Sequence, residues 1–427
     1  MDAAPAPSPG PPPPMSRRSM GIAAFSTVVE WYDFTLYLYF VTVLSKVFFG
    51  GGAQSLTETL GGFAVAYLMR PVGAIVFGHL GDRIGRRPAM LGSMGLMTAA
   101  MLATALLPTH ATVGPVAGVM LILLRCLMSF SVGGEYTGVV AYLLEGARLQ
   151  RRGLVASIAS AASEVGALLA AGVAAATVLL IPSPDLENWG WRIPFLIGAA
   201  LAGSILVARA TMEESPEFER QRAAGTIPER PIRQVLARHR AGIARGFAIS
   251  ALGSITYYVG ITYVPAFLEA VQAAPPAEAL SVSTIAAIAV IVVTPFTGLL
   301  SDCIGRRLVL VALALAAIVL PTALFAAMAS GTGVLAGALL LAALGGGVSA
   351  VGAVATAEQF PGEGRLSGLA LGATTATAIF GGLTPLVAHL LVTRFDWPGA
   401  PGAMIAAVAL VVLFVFLRMP ETAPIKT

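Results

Sequence analysis

The chain has 427 residues, of which 57% are hydrophobic and 11% charged, with a formal net charge of +4 and a mean hydropathy of +0.83. A water-soluble domain carries about 25% charged residues, so an ordinary soluble enzyme or binding module is excluded and the chain calls for lipid as solvent. The small positive charge reports membrane topology, and no nucleic-acid partner is indicated.

Met1–Met15 is a Pro/Ala run that includes Pro11–Pro14. It lacks the apolar surface to fold and is expected to be a disordered tail. The stretch 20–48 carries Glu30 and Asp33 in its middle with no small-residue cleavage site after it, so it is expected to remain as a first helix and not act as a signal peptide. Apolar stretches follow near 56–80, 88–107, 113–146, 153–181, 193–210, 246–272, 279–300, 308–329, 332–357, 366–392 and 401–417. Each meets or approaches the roughly 20 residues that cross a bilayer, which predicts an all-α membrane protein of about twelve helices.

Basic residues cluster in alternate loops: Arg17 and Arg18, then Arg83, Arg86 and Arg87, then Arg148, Arg151 and Arg152. The series continues with the Arg220–Arg245 segment, Arg306 and Arg307, Arg365, and finally Arg418 and Lys426. The intervening loops offer little beyond Lys46, Arg192 and Arg394, so positive-inside reasoning puts both termini in the cytoplasm. Cys126 falls within a predicted helix and Cys303 at the end of another, and no disulfide is expected between them.

The longest charged interruption, from Met212 to about Arg240, divides the helices six and six. It predicts a tail over 1–18, a first half over 19–211, a linker over 212–241, a second half over 242–420 and a short tail over 421–427. Across the linker Gly78-His-Leu-Gly-Asp-Arg-Ile-Gly-Arg-Arg87 returns as Gly298-Leu-Leu-Ser-Asp-Cys-Ile-Gly-Arg-Arg307, and Glu145 with Arg152 returns as Glu358 with Arg365. Any cytoplasmic turn favours Gly and basic residues, but here Asp and Gly also keep register. Internal repetition of this kind is how many secondary transporters are built, with the site at the repeat interface.

The G-x-x-x-D-R-x-G-R-R loop resembles the signature of the major facilitator superfamily. More narrowly, Glu30-Trp-Tyr-Asp-Phe34, Arg70-Pro-Val-Gly73, Ser131-Val-Gly-Gly-Glu135, Arg152-Gly153, Trp189-Gly-Trp-Arg-Ile-Pro194 and Glu214-Ser-Pro216 resemble the metabolite:proton symporter group. The resemblance runs from Gly21 to Glu421 and implies the major facilitator fold. It also implies proton-coupled uptake of a small polar metabolite, as in proline/betaine, α-ketoglutarate, shikimate and citrate carriers.

Charge inside the hydrocarbon core is a functional hypothesis by default, because it is costly unless paired or wetted. Glu30 and Asp33 lie near the bilayer midplane, roughly 15–20 Å into the first helix at 1.5 Å per residue. Three residues apart, they share a helix face, and two close carboxylates disfavour joint ionisation. They are the leading proton-coupling candidates, followed by Glu164 and Glu135. Arg125, at similar depth, is read as their counter-ion or as a bidentate anchor for a substrate carboxylate. The deep positions of the second half are almost free of charge. Tyr257, Tyr258, Thr374 and Thr377, with Tyr37 of the first helix, are expected to line the substrate site. The alternative for the threonines is plain helix packing.

In the repeated loop, Asp82, Arg83, Arg86 and Arg87, with Asp302, Arg306 and Arg307, are expected to form a cytoplasmic gate with Glu145 and Glu358. The arginines also set topology; the acids do little for orientation and therefore speak for the gate. His79, His239 and His389 lack metal-ligand spacing and His110 stands alone, so no metal or cofactor is expected. No phosphate loop or nucleophile elbow occurs, which disfavours ATP-driven transport and catalysis.

Substrate signals divide. Thr256-Tyr-Tyr-Val-Gly-Ile-Thr-Tyr-Val-Pro265 resembles proline/betaine carriers, and Thr377-Ala-Ile-Phe-Gly-Gly-Leu-Thr-Pro385 resembles citrate/tricarballylate carriers. Ser26, Thr27, Met128, Ser129 and Thr374 depart from that family's usual residues. The end at Thr427 predicts no coiled-coil osmosensing extension. Proton-driven efflux and a non-cycling sensor or channel stay open beside uptake, and the chain is expected to work as a monomer.

Overall fold

The computed structural model describes residues 15–52 and 54–424. The expected disordered tail, up to Pro14, and residues 425–427, with Lys426, lie outside the described residues. Among the described residues ten helices are long and apolar enough to cross a bilayer, and two bent pairs bring the number to twelve. The first half holds α1 (Arg17–Tyr39, continued after a 70° bend by Val41–Phe49), α2 (Thr57–Ile84), α3 (Arg86–Ala105), α4 (Val116–Gly146), α5 (Leu149–Leu180) and α6 (Arg192–Arg209). The second holds α7 (Arg240–Thr262, continued after a 48° bend by Val264–Ala270), α8 (Glu278–Ile304), α9 (Arg306–Ala329), α10 (Val334–Ala357), α11 (Arg365–Phe395) and α12 (Ala400–Arg418).

Each half has its own apolar core, one around Trp191, Phe48 and Tyr32 and one around Phe267, Phe325 and Ile405. The repeated loop makes the same turn in both halves. Gly85 and Gly305, at φ 114° and 106°, break α2 from α3 and α8 from α9, in backbone territory that only glycine enters readily. The helix that follows each turn is capped by a carboxylate from the segment just after its own half. Glu214 accepts from the backbone N–H groups of Arg86 and Arg87, and Glu421 from those of Arg306 and Arg307. Such a placement satisfies orphan donors and suits the positive end of a helix.

Small residues set how closely helices cross. A Cβ on Gly153 of α5 would lie 2.4 Å from the carbonyl oxygen of Gly298 of α8, so the two halves meet backbone to backbone there, as small-residue interfaces in membranes allow. In α7 the turn Tyr258–Thr262 is widened to a π turn and Pro265 follows it, lacking the N–H that would continue the ladder. A second π turn spans Ala370–Thr374 in α11. Between the halves, short helices Pro216–Ala224 and Pro231–Arg238 carry the charged linker.

Candidate functional site

A cavity of about 190 Å³ lies between the halves, lined by Glu30 and Trp31 of α1, Arg70 of α2, Glu164 of α5, Tyr257 and Tyr258 of α7, and Thr374 and Thr377 of α11. Its apolar wall includes Val132, Ile249 and Val348. Arg70 is the cation among the lining residues. Its guanidinium carbon stands 4.8 Å from the ring centroid of Phe34 and 4.7 Å from that of Tyr67, close enough for cation–π attraction. Among the described residues it forms no ion pair. Glu30 is buried, and its Oε2 has no hydrogen-bond partner. The Trp31 Nε1 donor is likewise buried and unpartnered. Glu164 accepts a 2.6 Å hydrogen bond from the Tyr257 hydroxyl, across the halves. Tyr258 and Thr374 both belong to π turns, which are frequent at functional sites because the widened turn re-aims a side chain.

The shared face expected of Glu30 and Asp33 is divided by what packs against it. Asp33 turns to α4, where Arg125 binds it bidentately at 2.8 and 3.0 Å. Arg125 is therefore a counter-ion in this structure, its fork filled by Asp33, and it stands off the central cavity. The Tyr37 ring lies 5.2 Å from the Arg125 guanidinium and its hydroxyl donates to Thr59 O; it braces the ion pair and does not line the cavity. Glu30, Asp33, Arg70 and Arg125 all border a void of about 20 Å³, room for about one water.

Glu135, expected as a further proton site, is instead locked to Arg209 of α6 in a buried ion pair. Ser93 donates to it at 2.8 Å, and Ser26 accepts from Arg209. All four residues belong to the first half, so this network holds one half together and spans no moving boundary. Arg70 and Arg209 were missed as charged sites by sequence reasoning. Arg70 was visible as an arginine inside an apolar stretch, and Arg209 as one at the end of another.

At the end of the bundle carrying the repeated loops, the halves are tied in duplicate. Asp82 accepts from the backbone N–H groups of Leu366 and Ser367 at 3.2 and 2.8 Å. Asp302 accepts from those of Gly153 and Leu154 at 2.8 and 2.9 Å. Arg86 pairs with Asp82 and Glu145, and Arg306 with Asp302 and Glu358. Arg365 reaches across to Glu145 at 2.7 Å. The other arginines of the motif do not join the halves. Arg83 is exposed, because the residue after Asp82 points about 100° round the helix. Arg87 donates to Ala210 O and Arg307 to Leu417 O, each within its own half.

Twelve spans in two similar halves, a cavity between them and duplicated ion-pair clusters at one end fit a multi-pass secondary transporter. The residues 20–232 match the family model "Sugar (and other) transporter" and 251–427 match "Major Facilitator Superfamily". The chain is 32% identical to the ectoine/proline transporter ProP of Corynebacterium glutamicum, over 92% of this chain and 82% of the relative. It is 31% identical to the citrate-proton symporter of Klebsiella pneumoniae, over 88% and 85%. Its fold is similar to that of the proton:xylose symporter XylE of E. coli, with a TM-score of 0.80 at 18% identity over 96% of this chain and 97% of that one. The chain belongs to the major facilitator superfamily, in its metabolite:proton symporter family, and is a transporter and not an enzyme.

Proposed function

We propose that the protein takes up a small carboxylate-bearing metabolite together with protons, by alternating access across a bacterial-type inner membrane. The gate end and both termini are cytoplasmic in this reading, and the halves 19–211 and 242–420 rock about the cavity. The observation that carries it is Arg70: a cation that lines the cavity with no ion pair among the described residues, beside a carboxyl group, Glu30, that has an oxygen with no donor. A half-buried guanidinium without an ion pair is ready to hold a carboxylate bidentately. An unpaired buried carboxylate is costly, which makes Glu30 the natural carrier of a proton. Substrate on Arg70 and proton on Glu30 neutralise the cavity together, and a neutral cavity passes more easily between the two open states. That relatives include an ectoine/proline transporter and a citrate-proton symporter supports a carboxylate as the common feature. The cavity is lined by both halves of one chain, which supports a monomer as the working unit.

Proteoliposomes acidified outside should accumulate labelled proline, glycine betaine, α-ketoglutarate or citrate above equilibrium, and a protonophore should abolish the accumulation. Acid-driven extrusion would make the protein an antiporter. Unsaturable flux that ignores the gradient would make it a channel.

A further inference from the structure

Glu164 is a buried carboxyl group of the cavity wall that proton-coupled uptake leaves without a task. It bears no ion pair among the described residues, and its Oε1 accepts from the Tyr257 hydroxyl at 2.6 Å. Tyr258, the next residue on α7, reaches the other way, to the Tyr67 hydroxyl of α2 at 2.8 Å. Two adjacent side chains of the second half therefore grip two helices of the first. Both rings are held. Tyr257 lies edge-on to Trp31 and to Tyr258, with centroids 5.3 and 5.4 Å away, and Tyr258 packs on α11, where a Cβ on Gly381 would stand 2.7 Å from its Cε2. A ring fixed in this way leaves its hydroxyl few other partners, and a buried hydroxyl without one is costly.

The contacts sit at one end of the cavity. Its lining runs along α7 from Ile249 to Tyr258 and along α5 from Ser160 to Glu164, while α2 meets it at Arg70, with Tyr67 three residues farther out. Because α5 and α7 start at the end that carries the repeated loops and α2 finishes there, Glu164, Tyr258 and Arg70 are the lining residues of their helices farthest from those loops.

We propose that Glu164 is a positioning residue of the transport cycle: as a fixed hydrogen-bond acceptor it pins Tyr257, and with the Tyr258–Tyr67 contact it holds α7 across the outer end of the cavity. This rests on the alternating-access reading above and adds the contact that must break when the cavity opens outward. The repeated loops bar the opposite end with carboxylates and arginines; here the tie is made of hydroxyls and one carboxyl group, and it borders the cavity itself. On opening, water replaces each of these hydrogen bonds, so the net worth of each is small, as a contact broken in every cycle requires. The π turn begins at Tyr258, and such a widened turn gives α7 a place to bend. What the role demands of Glu164 is an acceptor oxygen, and not a charge.

The test separates acceptor from charge. Ala373→Cys, on the cavity wall, is placed in a background lacking Cys126 and Cys303 and labelled from outside with a membrane-impermeant methanethiosulfonate in right-side-out vesicles, with no cargo added. Tyr257→Phe and Glu164→Leu should each label about fivefold faster or more, the effect of about one net hydrogen bond, whereas Glu164→Gln, which keeps an acceptor oxygen, should stay within about twofold of the background. Uptake of labelled proline, glycine betaine, α-ketoglutarate and citrate is measured in parallel under an inward proton gradient. Glu164→Gln should rescue the uphill uptake that Glu164→Leu loses, for whichever of these the wild type concentrates. Background labelling in Tyr257→Phe overturns the proposal, as does a Glu164→Gln protein that labels, or loses uphill uptake, like Glu164→Leu, since Glu164 would then act through its charge. If the wild type concentrates none of the four while the labelling order holds, carboxylate symport falls and the tie stands. Tyr257→Phe decides the matter by labelling alone if neither Glu164 variant folds.

Discussion

In the first half, Glu145 is gripped from both sides, by Arg86 of its own half and by Arg365 of the other. Its counterpart in the second half, Glu358, has its ion pair and hydrogen bonds among the described residues with Arg306 and the hydroxyl of Thr422, on its own side of the linker. Arg152, which stands where the repeat places Arg365, makes no ion pair among the described residues. The backbone clamps of Asp82 and Asp302 are by contrast near copies. Nearer the midplane the difference widens: Glu30, Asp33, Arg70, Arg125 and Glu164 all come from the first half, and the second supplies hydroxyls and rings. The duplicated loops keep the same backbone clamp in both halves, while the buried charges proposed to serve cargo and proton all lie in one. A gate needs matching surfaces, but a single cavity needs only one set of charges.

The largest effect should come from the cavity's cation. Arg70→Gln should reduce uptake below detection and weaken carboxylate binding by about 2 kcal/mol or more, as loss of a charge-assisted bidentate contact does; equilibrium binding checks this, and wild-type affinity would move the anchor elsewhere. Next is the asymmetry of the gate. Glu145→Gln leaves Arg86 and Arg365 buried without their shared carboxylate and should cost about 3–5 kcal/mol of closed-state stability, visible as a lower Tm; Glu358→Gln, which breaks no contact between halves, should cost less. Equal losses would mean the two sides close alike.

The matched clamps predict matched behaviour. Asp82→Asn and Asp302→Asn should each shift the population toward the cytoplasm-open state and slow transport, with expression unchanged. The rate of cysteine labelling at a cytoplasmic cavity position, in a background lacking Cys126 and Cys303, measures the shift; wild-type labelling and transport in both variants would leave the loops as topology signals. The smallest effect on substrate is expected at Arg125. Because Asp33 fills its fork, Arg125→Lys should lower thermal stability and leave substrate affinity within about twofold, under 0.5 kcal/mol. A large loss of affinity would put Arg125 at the substrate after all.

Much of this architecture could be read from the chain. Runs of about 20 apolar residues located the spans, and the repeated Gly-Asp-Arg loop located the turns at Gly85 and Gly305. Glu30, Glu164, Tyr257, Tyr258, Thr374 and Thr377 were all singled out and all line the cavity. Pairings were harder, because they depend on which neighbour a side chain meets. A three-residue spacing puts Glu30 and Asp33 about 60° apart on the helix, and only the approach of α4 decides that one faces Arg125 and the other the cavity. Glu135 looked free because its partner, Arg209, is 74 residues away. Arg70 stood out only as part of a motif, since nothing local reveals that it forms no ion pair among the described residues. The π turns that place Tyr258 and Thr374 carry no sequence signal beyond the nearby Pro265.

In the proposed cycle the proton rides on Glu30 while substrate sits on Arg70. Uphill uptake and counterflow exchange should be measured side by side in proteoliposomes for Glu30→Gln and Asp33→Asn. Glu30→Gln should exchange substrate between the two faces yet fail to concentrate it, whatever pH gradient is imposed. If Glu30→Gln still concentrates substrate against its gradient and Asp33→Asn does not, the proton belongs to the Asp33–Arg125 pair and not to the cavity carboxyl group.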